Sequence, residues 1–315
     1  PDRPFDPPAE LAEIRERHPL VRMTYPDGHD GWLATGYDAC RAVLADRRFS
    51  SRYELMHLPM PIEGAPPELP PAPVGDLTGI DAPEHTRLRR LLIGYFTVRR
   101  MRALTERVEE ITAERLDAME LRGAPVDLVT EFASPIPALV ICELLGVPYG
   151  DRDTFRRHVT TLTDMSSAAE EKGAAIEALQ AYLLDLVRAK RARPGEDILS
   201  SLTGAFLLGA GLDTTANMLG LGTFALLRHP DQIAALHSDP ENSVEELLRY
   251  LTIAHTNIRA ALEDVEVEGQ LIRAGESVTI AMHAANRDPA QYPDPDTLDL
   301  RRRATGHLAL GHGIH

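Results

Sequence analysis

The sequence predicts a mainly helical fold with a small β region, built as a single domain over residues 1–315. Three observations carry that expectation. From Asp81 to Tyr250, apolar residues recur at the spacing of amphipathic helices. After Ile258 the pattern changes to short β-branched runs, with Gly269 and Ala274-Gly275 as turns. With 315 residues, 43% of them hydrophobic, the chain can bury a sizeable core.

Taken in order, Ala9–Arg17 reads as a short helix that ends at His18-Pro19, Gly31–Thr35 as a strand, and Tyr37–Ala45 as a second helix. Residues 61–73 hold six prolines; a loop of that length in a compact domain goes with function or with a surface linker. Pro83–Phe96, Arg99–Leu121, Ser134–Leu145, Asp151–Leu162 and Ala168–Arg191 are the main helices, with Gly146-Val-Pro and Arg193-Pro-Gly as stops. A long apolar helix begins at Thr203, followed by short helices over Asp231–Leu236 and Val244–Tyr250. Val265–Val267, Gln270–Ile272 and Ser277–Ile280 make the small sheet.

Composition removes several function classes. The net charge of −15 argues against nucleic acid, whose phosphates demand clustered Lys and Arg. Cys40 and Cys142 are the only two cysteines, too few for a disulfide framework or a Cys-x-x-Cys metal clip. The amino terminus has no basic stretch followed by an apolar run, so no signal peptide is expected. The apolar stretch 203–227 carries Asp213 and Asn217, and an Asp at a bilayer centre costs about 2.5–3.5 kcal/mol, so no membrane partner is expected either. A cytoplasmic protein is the expectation. Only Lys172 and Lys190 stand among 33 basic residues, an arginine bias that points to a high-GC bacterial coding sequence.

Four places carry candidate chemistry. In Asp81-Ala-Pro-Glu-His-Thr-Arg-Leu-Arg, Asp81 is placed to cap the helix and Pro83 suits its first turn. Stepping about 100° per residue puts His85 and Arg89 in one stripe with Leu88, Leu92 and Phe96, while Arg87 and Arg90 point away. Cations on an apolar stripe need an anion, or else their stems snorkel to water. In Ala210-Gly211-Leu-Asp213-Thr214-Thr215, a carboxylate and two hydroxyls sit in a helix apolar nearly all round. Thr214 can bond back to the Ala210 carbonyl, which leaves a polar notch for a small ligand and a proton path. The alternative is a core Thr pair with Asp213 ion-paired to an Arg. Glu246-Leu-Leu-Arg249 has the i,i+3 spacing of an ion pair, and its wheel sets Val244, Leu247, Leu248 and Leu251 on the opposite side. Periodicity alone therefore reads it as a solvated surface pair. Finally, His307 and Gly311-His-Gly-Ile-His315 gather three histidines. With no HExxH and no carboxylate at ligand spacing, a zinc hydrolase is a poor reading; glycines alternating with His suit a tight loop that approaches something closely.

Together, in this order and over nearly the whole chain, these segments resemble the cytochromes P-450, the haem-thiolate monooxygenases. His85-x-x-x-Arg89 resembles the family's haem-propionate contacts. Ala210-Gly211-x-Asp213-Thr214-Thr215 resembles its oxygen-binding groove. Glu246-x-x-Arg249 is similar to its ExxR pair, which is buried there and overrides the surface reading. Arg259 and His315 look like further propionate contacts. Ala285-Asn-Arg-Asp-Pro289 and Tyr292-Pro-Asp-Pro295 resemble the segments leading to the haem loop. The resemblance implies haem b as cofactor and an iron-ligating cysteine two residues beyond His315; neither Cys40 nor Cys142 stands in that place. Leu310 departs from the Phe usual at its position.

It further implies insertion of one oxygen atom of O2 into a lipophilic small molecule, by hydroxylation or epoxidation, in bacterial secondary metabolism. Asp213 and Thr214 would deliver protons, and the Pro-rich 50–75 stretch would correspond to a variable lid. No flavin or iron–sulfur motif is present, so electrons would come from a ferredoxin and its reductase. The competing reading is a non-catalytic ligand-binding or partner protein with the same fold.

Overall fold

The computed structural model describes residues 3–61, 68–73, 76–94, 96–163, 167–192 and 204–315. Its elements run in chain order as α1 (Ala9–Arg17), β1 (Leu20–Thr24), β2 (Asp30–Ala34), α2 (Tyr37–Ala45), β3 (Phe49–Ser50), α3 (Glu84–Ile93), α4 (Val98–Arg122), α5 (Pro135–Leu145), α6 (Arg152–Thr163), α7 (Ala169–Ala192), α8 (Gly204–Arg228), α9 (Ile233–Ser238), α10 (Pro240–Leu251), β4 (Thr256–Ala261), β5 (Val265–Val267), β6 (Gln270–Ile272), β7 (Ser277–Ala281) and α11 (Met282–Ala285). The fold is mainly helical with a small sheet, as its sequence implies. Parts of the Pro-rich stretch, 62–67 and 74–75, lie outside the described residues, as do 193–203 with the predicted helix start at Thr203.

The chain divides into two compact units. The first combines both ends, Pro1–Ala72, Thr78–Asp81 and Leu221–His315. Its five-stranded sheet has the order β1-β2-β7-β4-β3. β2 and β7 pair in parallel, Trp32 opposite Val278, and every other ladder is antiparallel. β5 and β6 form a separate hairpin turned at Gly269, whose φ of 70° suits glycine. Strand β7 is buried along its whole length, and Val278 and Ile280 pack with Trp32, Cys40, Val43 and Leu308. α2 has Gly36 at its N-cap and no capping side chain of its own, so the Asp288 carboxylate caps it from 251 residues away, accepting from the Tyr37 N–H at 2.9 Å.

The second unit holds Pro73–Leu77 and Ala82–Gly220. Its core gathers Ile141, Cys142 and Leu145 of α5, Phe155 of α6, Leu179 and Leu183 of α7, and Leu212 of α8. α5 stops where expected, with Gly146 left-handed at φ 61° and its N–H returned to the Cys142 and Glu143 carbonyls. Burial pushes the Cys142 thiol up to about 12, and raises Cys40 as well; both cysteines are packing residues.

Candidate functional site

The first unit centres on the Glu246–Arg249 pair. Both side chains are 0% exposed. Arg249 grips Glu246 bidentately, Nε to Oε2 at 2.7 Å and Nη2 to Oε1 at 2.9 Å. Its Nη1 donates to the carbonyls of Asn286 at 2.8 Å and Pro295 at 2.9 Å. Glu246 Oε1 also accepts from Arg302 Nε and the Asp299 N–H, each at 3.1 Å. The surface reading from periodicity is therefore corrected: Val244, on the wheel's apolar side, is exposed, and the ion pair is buried. A buried pair survives only when its remaining donors and acceptors are satisfied, and here the backbone from 286 to 299 supplies them. Sequence reasoning missed Arg302, which stands in Arg301-Arg302-Arg303 and reads there as a solvated basic run. It also gave Asn286 no role. The Asn286 amide joins α10 to the last loop, donating to Thr252 Oγ1 at 2.8 Å and accepting from the Leu308 N–H at 2.7 Å.

That loop ends in Gly311-His312-Gly313-Ile314-His315. Gly311 and Gly313 have φ of 79° and 84°. A Cβ on Gly313 would collide with the backbone carbonyl of Leu44, near the end of α2. The close approach expected of this loop is made by Gly313, and its target is α2; at Gly311 a Cβ would make only ordinary contact. His315 is half-buried. His307 turns the other way, its Nε2 3.0 Å from Glu245 Oε2 and its Nδ1 accepting from the Ala309 N–H at 3.2 Å, so both ring nitrogens are used within the fold.

Arg259 lies on β4, opposite Val278, and is 4% exposed. Its Nη1 donates to Asn257 Oδ1 and to the Ile258 carbonyl. Among the described residues no carboxylate reaches ion-pair distance. Burial pushes its guanidinium down to about 10, only partly offset by the Asp81 charge. A buried cation whose neighbours are neutral oxygens is a fitting seat for an anionic group such as a haem propionate. Asp81 itself does not cap α3, as its position had suggested. Its carboxylate accepts from Ser50 Oγ at 2.5 Å and the Ser51 N–H at 2.9 Å.

In the second unit α3 carries His85 and Arg89. His85 and Leu92 are buried and Leu88 half-buried, but Arg89 and Phe96 are exposed, so only part of the expected stripe is covered. Arg87 and Arg90 are exposed, as the wheel has them. α8 holds Ala210, Gly211, Asp213 and Thr214 in unbroken α-helix. Gly211 has a packing role, since a Cβ there would sit 3.0 Å from the Ile141 side chain of α5. The helix is not buried all round: Leu212 and Ala216 face the core, while Asp213, Thr214, Thr215 and Asn217 are exposed. One apolar side suffices to hold it, which leaves the carboxylate and hydroxyls on the other.

Among known proteins, the family model described as cytochrome P-450 matches residues 196–303. The chain is 46% identical to cytochrome P-450 105C1 of a Streptomyces species, across 99% of this chain and 82% of that protein. It is 42% identical to pentalenic acid synthase of Streptomyces avermitilis, with the same coverage, and 40% identical to 6-deoxyerythronolide B hydroxylase of Saccharopolyspora erythraea, across 96% and 81%. The crystal structure of cytochrome P-450 MoxA from Nonomuraea recticatena aligns with a TM-score of 0.90 at 40% identity, covering 99% of this chain and 83% of that one.

Proposed function

The chain belongs to the cytochrome P-450 family, and from that premise we propose which of its residues carry the chemistry. It is a haem b-dependent monooxygenase acting on lipophilic small molecules, and its relatives include a hydroxylase and an acid synthase by name. When bound through a cysteine thiolate, the haem activates O2, the thiolate pushing electron density that favours O–O cleavage.

His85, Arg89, Arg259 and His315 hold the propionates. The observation that carries this assignment is Arg259, a buried guanidinium with no carboxylate partner among the described residues. Asp213 and Thr214 move protons. An exposed carboxylate exchanges protons with water directly, and the hydroxyl one residue on can receive a proton and pass it forward. Ala210 and Gly211, one turn before Thr214, stand where the resemblance places the oxygen-binding groove; in this structure Gly211 is packed against Ile141. Glu246 and Arg249 touch no substrate; they lock α10 to the backbone that leads into the haem loop.

The reaction is hydroxylation or epoxidation of a lipophilic metabolite, in bacterial secondary metabolism. A ferredoxin and its reductase are the electron donors we propose, as the family resemblance implies. We place the enzyme in the cytoplasm, with those donors. Among the described residues no helix is long and apolar enough to cross a membrane.

The deciding experiment uses protein that carries the cysteine two residues beyond His315. Reduced and exposed to carbon monoxide, it is expected to show the red-shifted Soret band of a thiolate-ligated haem. A histidine-type band in a fully haem-loaded sample would overturn the assignment. Thr214→Ala is expected to keep haem and substrate binding but to lose coupling, with consumed reducing equivalents appearing as free hydrogen peroxide. Simultaneous assay of NAD(P)H use, product and peroxide checks this, and unchanged coupling removes Thr214 from the proton path.

A further inference from the structure

A second cluster of titratable side chains lies in the first unit and includes none of the residues assigned to haem. The turn between β1 and β2 carries Asp27 and His29. The segment after the Tyr53–Leu55 turn lays His57 across them. The two imidazoles are stacked, with ring centroids 3.6 Å apart and planes within 2°. His57 Nδ1 lies 2.6 Å from Asp27 Oδ2, and Asp27 Oδ1 accepts from the His29 N–H at 3.0 Å. Ser277, which opens β7, completes the arrangement. Its backbone N–H donates to His29 Nε2 at 3.3 Å, and its hydroxyl accepts from the His57 N–H at 3.2 Å. The buried Tyr25 ring packs edge-on to His29 and tilted to His57, and its hydroxyl is engaged by Thr279 at 2.8 Å.

The bonding assigns a protonation pattern: a bare Nε2 on His29 and a proton on Nδ1 of His57. Nε2 of His29 can accept from a backbone N–H only while that ring is neutral. His57 faces a carboxylate, which favours a proton on its Nδ1. We propose that Asp27, His29 and His57 form an acid-sensitive clasp, which fastens residues 56–61 to the sheet near neutral pH and releases them when His29 takes a proton. Protonation turns an N–H of His29 against the N–H of Ser277. It also sets a cationic ring face to face with the stacked His57 imidazole, 3.6 Å away between centroids. Neither penalty exists while His29 is neutral.

The surrounding charges do not cancel this. Burial, then the His57 charge, hold His29 below its ordinary value, against smaller opposing pulls from Asp27, Glu276 and Asp30. Glu276 is occupied by Arg22 at 2.6 Å and the Trp32 indole at 2.7 Å, and Asp30 accepts from Thr24 Oγ1 at 2.9 Å. Asp27 is held low by its bonds to His57 and to the His29 N–H, so it stays charged while His29 titrates. For a His depressed in the folded state, the stabilisation is complete above the unfolded value of about 6.5 and is lost as pH falls toward the folded one. The clasp therefore opens in mild acid and does not depend on the haem assignment.

Hydrogen exchange of the holoenzyme, read on peptides covering residues 53–61 and corrected for the intrinsic pH dependence, tests it. Wild type is expected to lose protection several-fold between pH 7.5 and pH 5. His29→Gln stays neutral, and its amide oxygen can still accept from Ser277, so it should keep its protection across that range. Equal acid loss in both proteins, or none in wild type, overturns the clasp. Imidazole NMR gives an independent reading on folded wild type: His29 must titrate below an exposed histidine, and must move upward in His57→Asn. Titration of His29 at or above the ordinary value, or no movement in His57→Asn, overturns it equally.

Discussion

Glu246→Ala is expected to remove a large share of the folding stability of this protein. The substitution leaves the Arg249 guanidinium fully buried without its bidentate partner, and it deprives Arg302 and the Asp299 N–H of an acceptor. Breaking a buried pair from one side costs about 3–5 kcal/mol. Domains carry only about 5–15 kcal/mol in total, so the variant is expected to express poorly and to unfold at a much lower urea concentration. An internal comparison is available at the same spacing. Asp185 and Arg188 also pair at i,i+3, at 3.0 Å, but both side chains are about three-quarters exposed. Asp185→Ala should leave the urea midpoint unchanged within error. Equal effects at the two sites would show that burial of the pair does not set its worth.

Arg259→Leu is expected to split two properties that usually move together. In the haem-free protein the substitution removes a buried cation without a carboxylate partner, so stability should hold or rise. In the haem-loaded protein it removes charge-assisted hydrogen bonds to a propionate, each worth about 1.5–3 kcal/mol. Haem retention, measured by transfer to apomyoglobin, should fall by roughly 10- to 100-fold. The sign of the pH effect follows from the depressed guanidinium. Folding penalises the charged form, so the unfolded chain binds more protons above about pH 10, and stability contributed by this group rises with pH there. At neutral pH the penalty is constant and present in full. A Leu variant that loses haem-free stability as well as haem would show that Arg259 serves the fold rather than the cofactor.

How much of this was legible depended on whether the cause was local. The β5–β6 hairpin was read with its bounds because Gly269 and the β-branched pairs around it decide the structure within eight residues. α1 and α2 were equally plain. β4 was not, since Thr256-Asn-Ile-Arg-Ala-Ala has little strand character of its own and is made a strand by β7 and β3 on either side. Glu246 and Arg249 show the same limit at the site. A helical wheel ranks faces by apolar content, and it cannot register that carbonyls of Asn286 and Pro295 will meet a guanidinium 37 and 46 residues earlier. Family resemblance supplied what periodicity lacked. Asp81 was misread for a related reason: a cap is the local use of an Asp before a helix, and Ser50 and Ser51 offered a better one 30 residues away.

The parallel pairing of β2 with β7 has a consequence for synthesis. β1 and β2 are synthesised as a two-stranded hairpin long before β7, and the Trp32 indole waits for its acceptor Glu276, 244 residues downstream. At about 5–20 residues per second, that interval is roughly 12–50 s. Throughout it the inner edge of β2 presents unpaired N–H and C=O groups beside the Trp32 ring, which is the kind of edge that recruits other strands. Translation that stalls before Ser277 releases chains with that edge open. Chaperone supply, or codon choice between β2 and β7, is therefore expected to change the yield of folded protein.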